Sequence, residues 1–357
     1  MADALISPAV GGTMWAATAG LTAYSAKKLK VNLDEHQVPL MGVLGAFIFA
    51  AQMINFTIPA TGSSGHLAGG MILAILLGPY AAFLVMASVL TVQALFFADG
   101  GLLALGCNII NMGGFACFIA YPFIYKKIVG AKPSQGRILA GAMAGSILAL
   151  QMGAFAVVLE TLFSGISELS FSSFLLLMQP IHLAIGIVEG LVTAAVVSFV
   201  WKAHPEILTL APTPAAARVH SHKPLLLGLA LFALVAGGML SWFASTHPDG
   251  LEWSLKGVTG QEELAAPQAG VHGALAWLQE SLAFLPDYGF KRPPEEKGAQ
   301  SEAEPGGKKG ETWPEVSAGK SLAGVLGGGL TLLLAGAIGF GLRRYYSHNK
   351  GLRKTLL

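Results

Sequence analysis

Charge is scarce in this chain. Only 12% of its 357 residues are Asp, Glu, Lys or Arg, against about a quarter in ordinary soluble domains, while 54% are hydrophobic and the mean hydropathy is +0.61. That balance excludes a soluble globule and predicts an all-α polytopic membrane protein in contact with a lipid bilayer. The net charge of +2 is small and its basic residues fall in short clusters, so no nucleic-acid partner is implied. The two cysteines, Cys107 and Cys117, lie ten residues apart in one apolar run and match neither a zinc pair nor a disulfide framework; they read as packed small residues. Nothing reads as Gly, four residues, Gly-Lys-Ser/Thr, nor as a nucleophile elbow, a His-Glu-x-x-His pair or a CxxC motif, so neither ATP hydrolysis of that kind nor enzyme chemistry is expected. No basic region followed by a cleavage site opens the chain, and the first helix is expected to insert as it stands.

What is present is a series of apolar runs. They cover residues 9–26, 38–58, 67–77, 80–98, 106–125, 138–163, 174–201, 224–243 and 322–341. At 1.5 Å per residue most are long enough for a hydrocarbon core of about 30 Å. The run at 67–77 is too short alone and is expected to complete its crossing with the glycine-rich segment before it. With the N-terminus outside, nine crossings place Lys27–Lys30, Lys126–Arg137, the linker 202–223 and the basic tail 343–357 in the cytoplasm, as the positive-inside rule asks. The expected organisation is a seven-span bundle over 1–201, a cytoplasmic linker, and a two-span unit over 224–342 with a small outer domain at 244–319. Within that outer domain, residues 291–314 carry the composition of a disordered segment.

The stretch Thr61-Gly62-Ser63-Ser64-Gly65-His66-Leu67 places a histidine in irregular backbone between two apolar runs, where such backbone survives only if buried in protein or lining a cavity. Two readings stand. His66 binds a divalent transition metal, as imidazole commonly does, with Asn55, Asn108, Asn111, Asp3 and the Met1 amine within the same outer region; or His66 and its serines cap the short helix that follows. His182 and Glu189 lie two turns apart on one helix face inside an apolar span and are read as an interhelical hydrogen-bonded pair, Glu189 lying towards the cytoplasmic half. Glu160 is expected to reach the headgroups. His204, His220 and His222 read as solvated loop residues, and Pro248-Asp249-Gly250 as a turn.

The opening Met1-Ala2-Asp3-Ala4-Leu5-Ile6-Ser7-Pro8, together with Ala51-Gln52-Met53-Ile54-Asn55-Phe56, the His66 stretch, Asn108-Ile109-Ile110-Asn111-Met112-Gly113 and the run from His182 to Gly190, resembles the CbiM/NikM family of substrate-binding membrane components of energy-coupling factor transporters. The likeness covers residues 1–201. His247-Pro248-Asp249-Gly250-Leu251-Glu252-Trp253-Ser254 and Leu285-Pro286-Asp287-Tyr288 resemble the PDGLE domain of the CbiN/NikN accessory component, which makes the chain a fusion of the two.

The resemblance implies high-affinity capture of Ni²⁺ or Co²⁺ outside a prokaryotic cytoplasmic membrane. It also implies a transmembrane coupling subunit and ATP-binding cassette ATPase subunits as partners. An accessory membrane subunit that docks partners without binding metal is the alternative. In the family, the ion sits in a square-planar nitrogen site built from the N-terminal amine, the backbone nitrogen and imidazole of a second-position histidine, and the histidine of the break. Carried over, these are Met1, Ala2 and His66. Position two is alanine here, which is expected to reflect a start two residues upstream; otherwise one imidazole is lost.

Overall fold

The computed structural model describes residues 1–29, 37–205, 223–291 and 313–355. Pro8 opens α1 (Pro8–Leu29) in the first turn, where a missing N–H costs nothing, and Lys27 and Lys28 sit in its last turn, where the helix dipole favours cations. The second apolar run does not stay helical to Ile58. Helix α2 (Gln37–Gln52) ends early, and β1 (Phe56–Ile58) pairs antiparallel with β2 (Ser63–Gly65), Thr57 opposite Ser64. The glycine-rich break is therefore a β-hairpin, an exception to the all-α expectation. Pro59 holds Ile58 extended, and the loop turns through positive φ at Ala60 (63°) and Gly62 (70°).

Helix α3 (Gly70–Leu77) begins three residues later than its apolar run, and every one of its residues is buried. Gly78, at φ 77°, and Pro79 then reverse the chain into α4 (Pro79–Phe97). Helix α5 (Leu105–Val129) widens into π-helical turns over Ile110–Gly114 and Ala116–Tyr125, the second containing Pro122, which cannot donate to the helical ladder. Helices α6 (Gln135–Ser164) and α7 (Phe171–Ala203) pack along their length. Their backbones approach at glycines: a Cβ on Gly190 would lie 2.8 Å from Met143 Cα, and one on Gly186 3.1 Å from Ile147 Cα.

The second half contributes α8 (Lys223–Gly238), the outer helices α9 (Gly250–Thr259) and α10 (Gly270–Leu282), a short turn at Pro286–Tyr288, and α11 (Ala318–Thr355). Helix α11 outruns its apolar stretch and carries what was expected as a tail. His220, His222 and most of the 291–314 segment lie outside the described residues. Helix α11 seats directly on α2: a Cβ on Gly42 would meet the Leu332 carbonyl at 2.9 Å, and Gly327 faces the Phe49 ring so closely that no side chain fits. The main core lies around α2, α3 and α4, with Phe49, Phe83, Met71 and Ile72 fully buried.

Among the described residues five helices are long and apolar enough to cross a membrane: α4, α5, α6, α7 and α11 over Ala318–Tyr345. Helices α2 and α8 are apolar but have only 16 residues each.

Candidate metal-binding cavity

His66 follows β2 directly, and the segment that carries it is wedged between two helices. A Cβ on Gly65 would lie 2.6 Å from Ile185 of α7, and one on Gly69, at φ 77°, 2.7 Å from Ile48 of α2. Only glycine lets the backbone pass. Several of the polar groups this brings inside the protein find buried side-chain partners. Gln52 Nε2 donates to the Ala68 carbonyl at 2.9 Å and is itself steadied by Gln93 at 2.8 Å. Glu189 accepts from the Ala68 N–H at 2.8 Å and the Gly69 N–H at 3.2 Å.

Several readings of the sequence are corrected here. Glu189 is not remote from the break; it holds it, because the hairpin and the extended segment behind it reach down to the level of the mid-helix glutamate. Nor does His66 cap the short helix, whose N-cap is Gly69, with no side-chain cap of its own. His66 Nδ1–H instead donates to the Leu67 carbonyl at 3.2 Å, leaving Nε2 as the nitrogen with a lone pair. His182 does not pair with Glu189 either. Its Nδ1–H donates to the Met178 carbonyl at 2.8 Å. Glu160 is buried rather than at the headgroups, and accepts from Asn111 Nδ2 at 2.8 Å. His204, read as solvated, is buried. Cys107 and Cys117 are free and buried, as expected of packed small residues.

The N-terminal segment is tied to the same place. The Met1 carbonyl accepts from Gly101 N–H at 3.1 Å and Asn108 Nδ2 at 3.3 Å, and Asp3 Oδ1 accepts from Ala104 N–H at 2.8 Å. The Ile6 carbonyl accepts from His272 Nε2 of α10 at 2.8 Å. Met1 and His66 consequently line one cavity of about 130 Å³, together with Asn108, Asn111, His182, Glu189 and Asp249. A wider cavity of about 320 Å³ shares Met1 and His66 and is lined by Asp99, Asp249, Glu252 and Asp287 with Lys320, a predominantly acidic vestibule that attracts cations. Ala2 is exposed and lines neither cavity. Among the described residues no three His, Cys, Asp or Glu side chains cluster to hold an ion, so a site here draws on other nitrogen or oxygen donors as well.

The PDGLE-like segment closes over the hairpin. Ser64 donates its N–H to the Pro248 carbonyl and its hydroxyl to the His247 carbonyl, both at 2.8 Å, and Trp253 Nε1 donates to the Thr61 carbonyl at 3.0 Å. Asp249 is more than a turn residue: its carboxylate takes the Leu251 and Glu252 N–H groups at 2.8 Å while Glu252 Oε2 accepts the Asp249 N–H at 2.9 Å, a reciprocal cap on α9. Burial first, and then the Asp249 carboxylate, push Glu252 up to about 7. The capping-box spacing of Asp249 and Glu252 was visible in the sequence; their place on the His66 cavity was not.

Residues 1–207 match the CbiM family, described as a cobalt uptake substrate-specific transmembrane region. The chain belongs to the CbiM family. Residues 223–344 match the PDGLE domain. The fused nickel transport protein NikMN of Rhodobacter capsulatus is 32% identical over 311 residues, 80% of this chain and 87% of the relative. The cobalt transport protein CbiM of Sorangium cellulosum is 31% identical over 180 residues, 50% of this chain and 80% of the relative. A crystal structure of a truncated transition metal transporter, 31% identical, superposes with a TM-score of 0.51 over 57% of this chain and 99% of its own. The chain is a CbiM–PDGLE fusion and a membrane metal-transport protein, not an enzyme.

Proposed function

We propose that this chain captures Ni²⁺ or Co²⁺ on the outer side of a prokaryotic cytoplasmic membrane with high affinity, as the substrate-binding component of an energy-coupling factor transporter. The ion is held by the Met1 amine, the Ala2 backbone nitrogen and His66, and passes inward when a transmembrane coupling subunit and ATP-binding cassette ATPases act on the bundle. In this reading nine crossings put the N-terminus outside and the C-terminus in the cytoplasm. Residues 1–201 form the metal-binding bundle, and 224–342 form the two-span unit whose outer part, 244–319, covers it.

The observation that carries the reading is the shared cavity of Met1 and His66, with the hairpin and the 3₁₀ turn Asp3–Leu5 both anchored so that the two can meet. Nitrogen donors in a plane suit Ni²⁺ and are foreign to the tetrahedral preference of Zn²⁺. Isothermal titration of Ni²⁺ into the purified chain and its His66→Ala variant tests it: binding falls at least a hundredfold on substitution, and tight binding that survives the loss of His66 removes the site. Uptake into vesicles lacking any ATPase subunit would remove the energy-coupling role.

A further inference from the structure

His182 shares the cavity with His66 but takes no part in the nitrogen set above. Its Nδ1–H is fixed on the Met178 carbonyl at 2.8 Å, so Nε2 carries the ring's lone pair. A histidine with one nitrogen donating to a backbone carbonyl and the other free beside an open space is in the form that ligates transition metals. Gly250 of the outer domain sits against the ring edge, where a Cβ would lie 3.1 Å from Cε1.

A second, independent observation lies on the same cavity. Asn111 is only 8% exposed; its Nδ2 is committed to Glu160, and its Oδ1 has no partner. A buried amide oxygen left bare is unfavourable unless something positive comes to it. Asp249, on the same cavity, adds negative charge, whereas Glu189 has both oxygens engaged by Ala68 and Gly69. A space of about 130 Å³ has room for about four waters at some 30 Å³ each, enough for an ion that keeps part of its hydration shell.

We propose that His182 Nε2 and Asn111 Oδ1 form an inner station for a divalent transition metal, to which the ion passes from His66. The proposal rests on the reading that this cavity carries such an ion. One imidazole and one amide oxygen bind a borderline cation weakly, as suits a stop that must release what it receives.

Ni²⁺ alone is the probe, titrated into the full chain carrying His66→Ala and into the double variant His66→Ala/His182→Gln. Glutamine keeps a donor for the Met178 carbonyl, and thermal unfolding checks that both variants fold. The expected result is a weak binding heat in the first that disappears in the second, and a loss of at least threefold in affinity when Asn111→Ala is added to His66→Ala. Equal heats with and without His182 overturn the inner station. Because both chains lack His66, the difference is independent of the outer site; an unaltered chain without His66-dependent binding would defeat the earlier reading and leave this one measurable. In vesicles containing the coupling and ATPase subunits, His182→Gln alone slows Ni²⁺ uptake about tenfold; unchanged uptake also overturns it.

Discussion

The Glu189 carboxylate accepts the backbone N–H groups of Ala68 and Gly69, so a side chain in the middle of α7 fixes the segment that presents His66. Replacing it with alanine strands two buried donors, each worth about 1–3 kcal/mol when left unmet. Glu189→Ala is expected to lower the unfolding midpoint and weaken Ni²⁺ binding at least tenfold, while Glu189→Gln, which keeps one acceptor, loses less. Thermal unfolding and titration on the two variants check this; equal losses would show that the charge, rather than the acceptor pair, matters.

Gly65 brings the hairpin hard against α7 at Ile185. Gly65→Ala forces its methyl into Ile185, an overpacking of about 1–3 kcal/mol, and is expected to weaken Ni²⁺ binding at least threefold. Pairing it with Ile185→Ala opens the space again. Recovery of binding in the double variant is the expected result, and a further loss would count against steric contact as the cause.

The placement of most helices was legible in the sequence because local signals bound several apolar runs, α1 ending in Lys27 and Lys28 and α4 starting at Gly78-Pro79. The hairpin was not. Strands of three residues show no alternation, and Phe56, Thr57 and Ile58 simply continue an apolar run. Depth along the chain misled the reading of Glu189, since counting residues from the membrane surface cannot reveal a segment that folds back towards the helix centre. Glu160 was misjudged for a related reason: its partner Asn111 lies in a π-helical turn, which changes the face a helix presents. His66 and the N-terminus were legible as candidates; that Asp249, 183 residues downstream of His66, shares their cavity depends on long-range packing that no local pattern encodes.

His272 reaches from α10 to the Ile6 carbonyl and so secures the N-terminal segment from the outer domain. His272→Ala is expected to weaken Ni²⁺ binding about threefold to tenfold with helix content unchanged, since the carbonyl loses its buried donor. His272→Gln, still able to donate, restores part of the loss. Titration alongside circular dichroism separates this from general unfolding.

Glu252 gives the outer domain a pH dependence. Its carboxyl is pushed up from 4.5 to about 7, by burial first, then by Asp249, with Glu263 and Glu262 adding to it. The folded form keeps a proton that the unfolded chain has already lost, so the group's stabilising contribution is complete below about pH 4.5 and disappears as pH rises through about 7. Glu252→Gln keeps the cap on α9 and is expected to flatten the fall in the outer domain's unfolding midpoint between about pH 5 and about pH 8. An identical pH slope in the variant would assign the dependence to another group.

The seating of α11 against α2, glycine to carbonyl and glycine to phenyl ring, sets an order in time. A polypeptide is made from its N-terminus, and α2 exists long before the helix that covers its Gly42, Gly45 and Phe49 face. Until synthesis reaches residue 318 that face must be shielded by something else, and the strand that Ser64 presents to Pro248 waits almost as long. The smaller cavity shared by Met1 and His66 takes its lining from residues up to Leu251, so it can close before α11 exists, and a ribosome stalled between α10 and α11 would leave a protein with His66 in place and the α2 face bare.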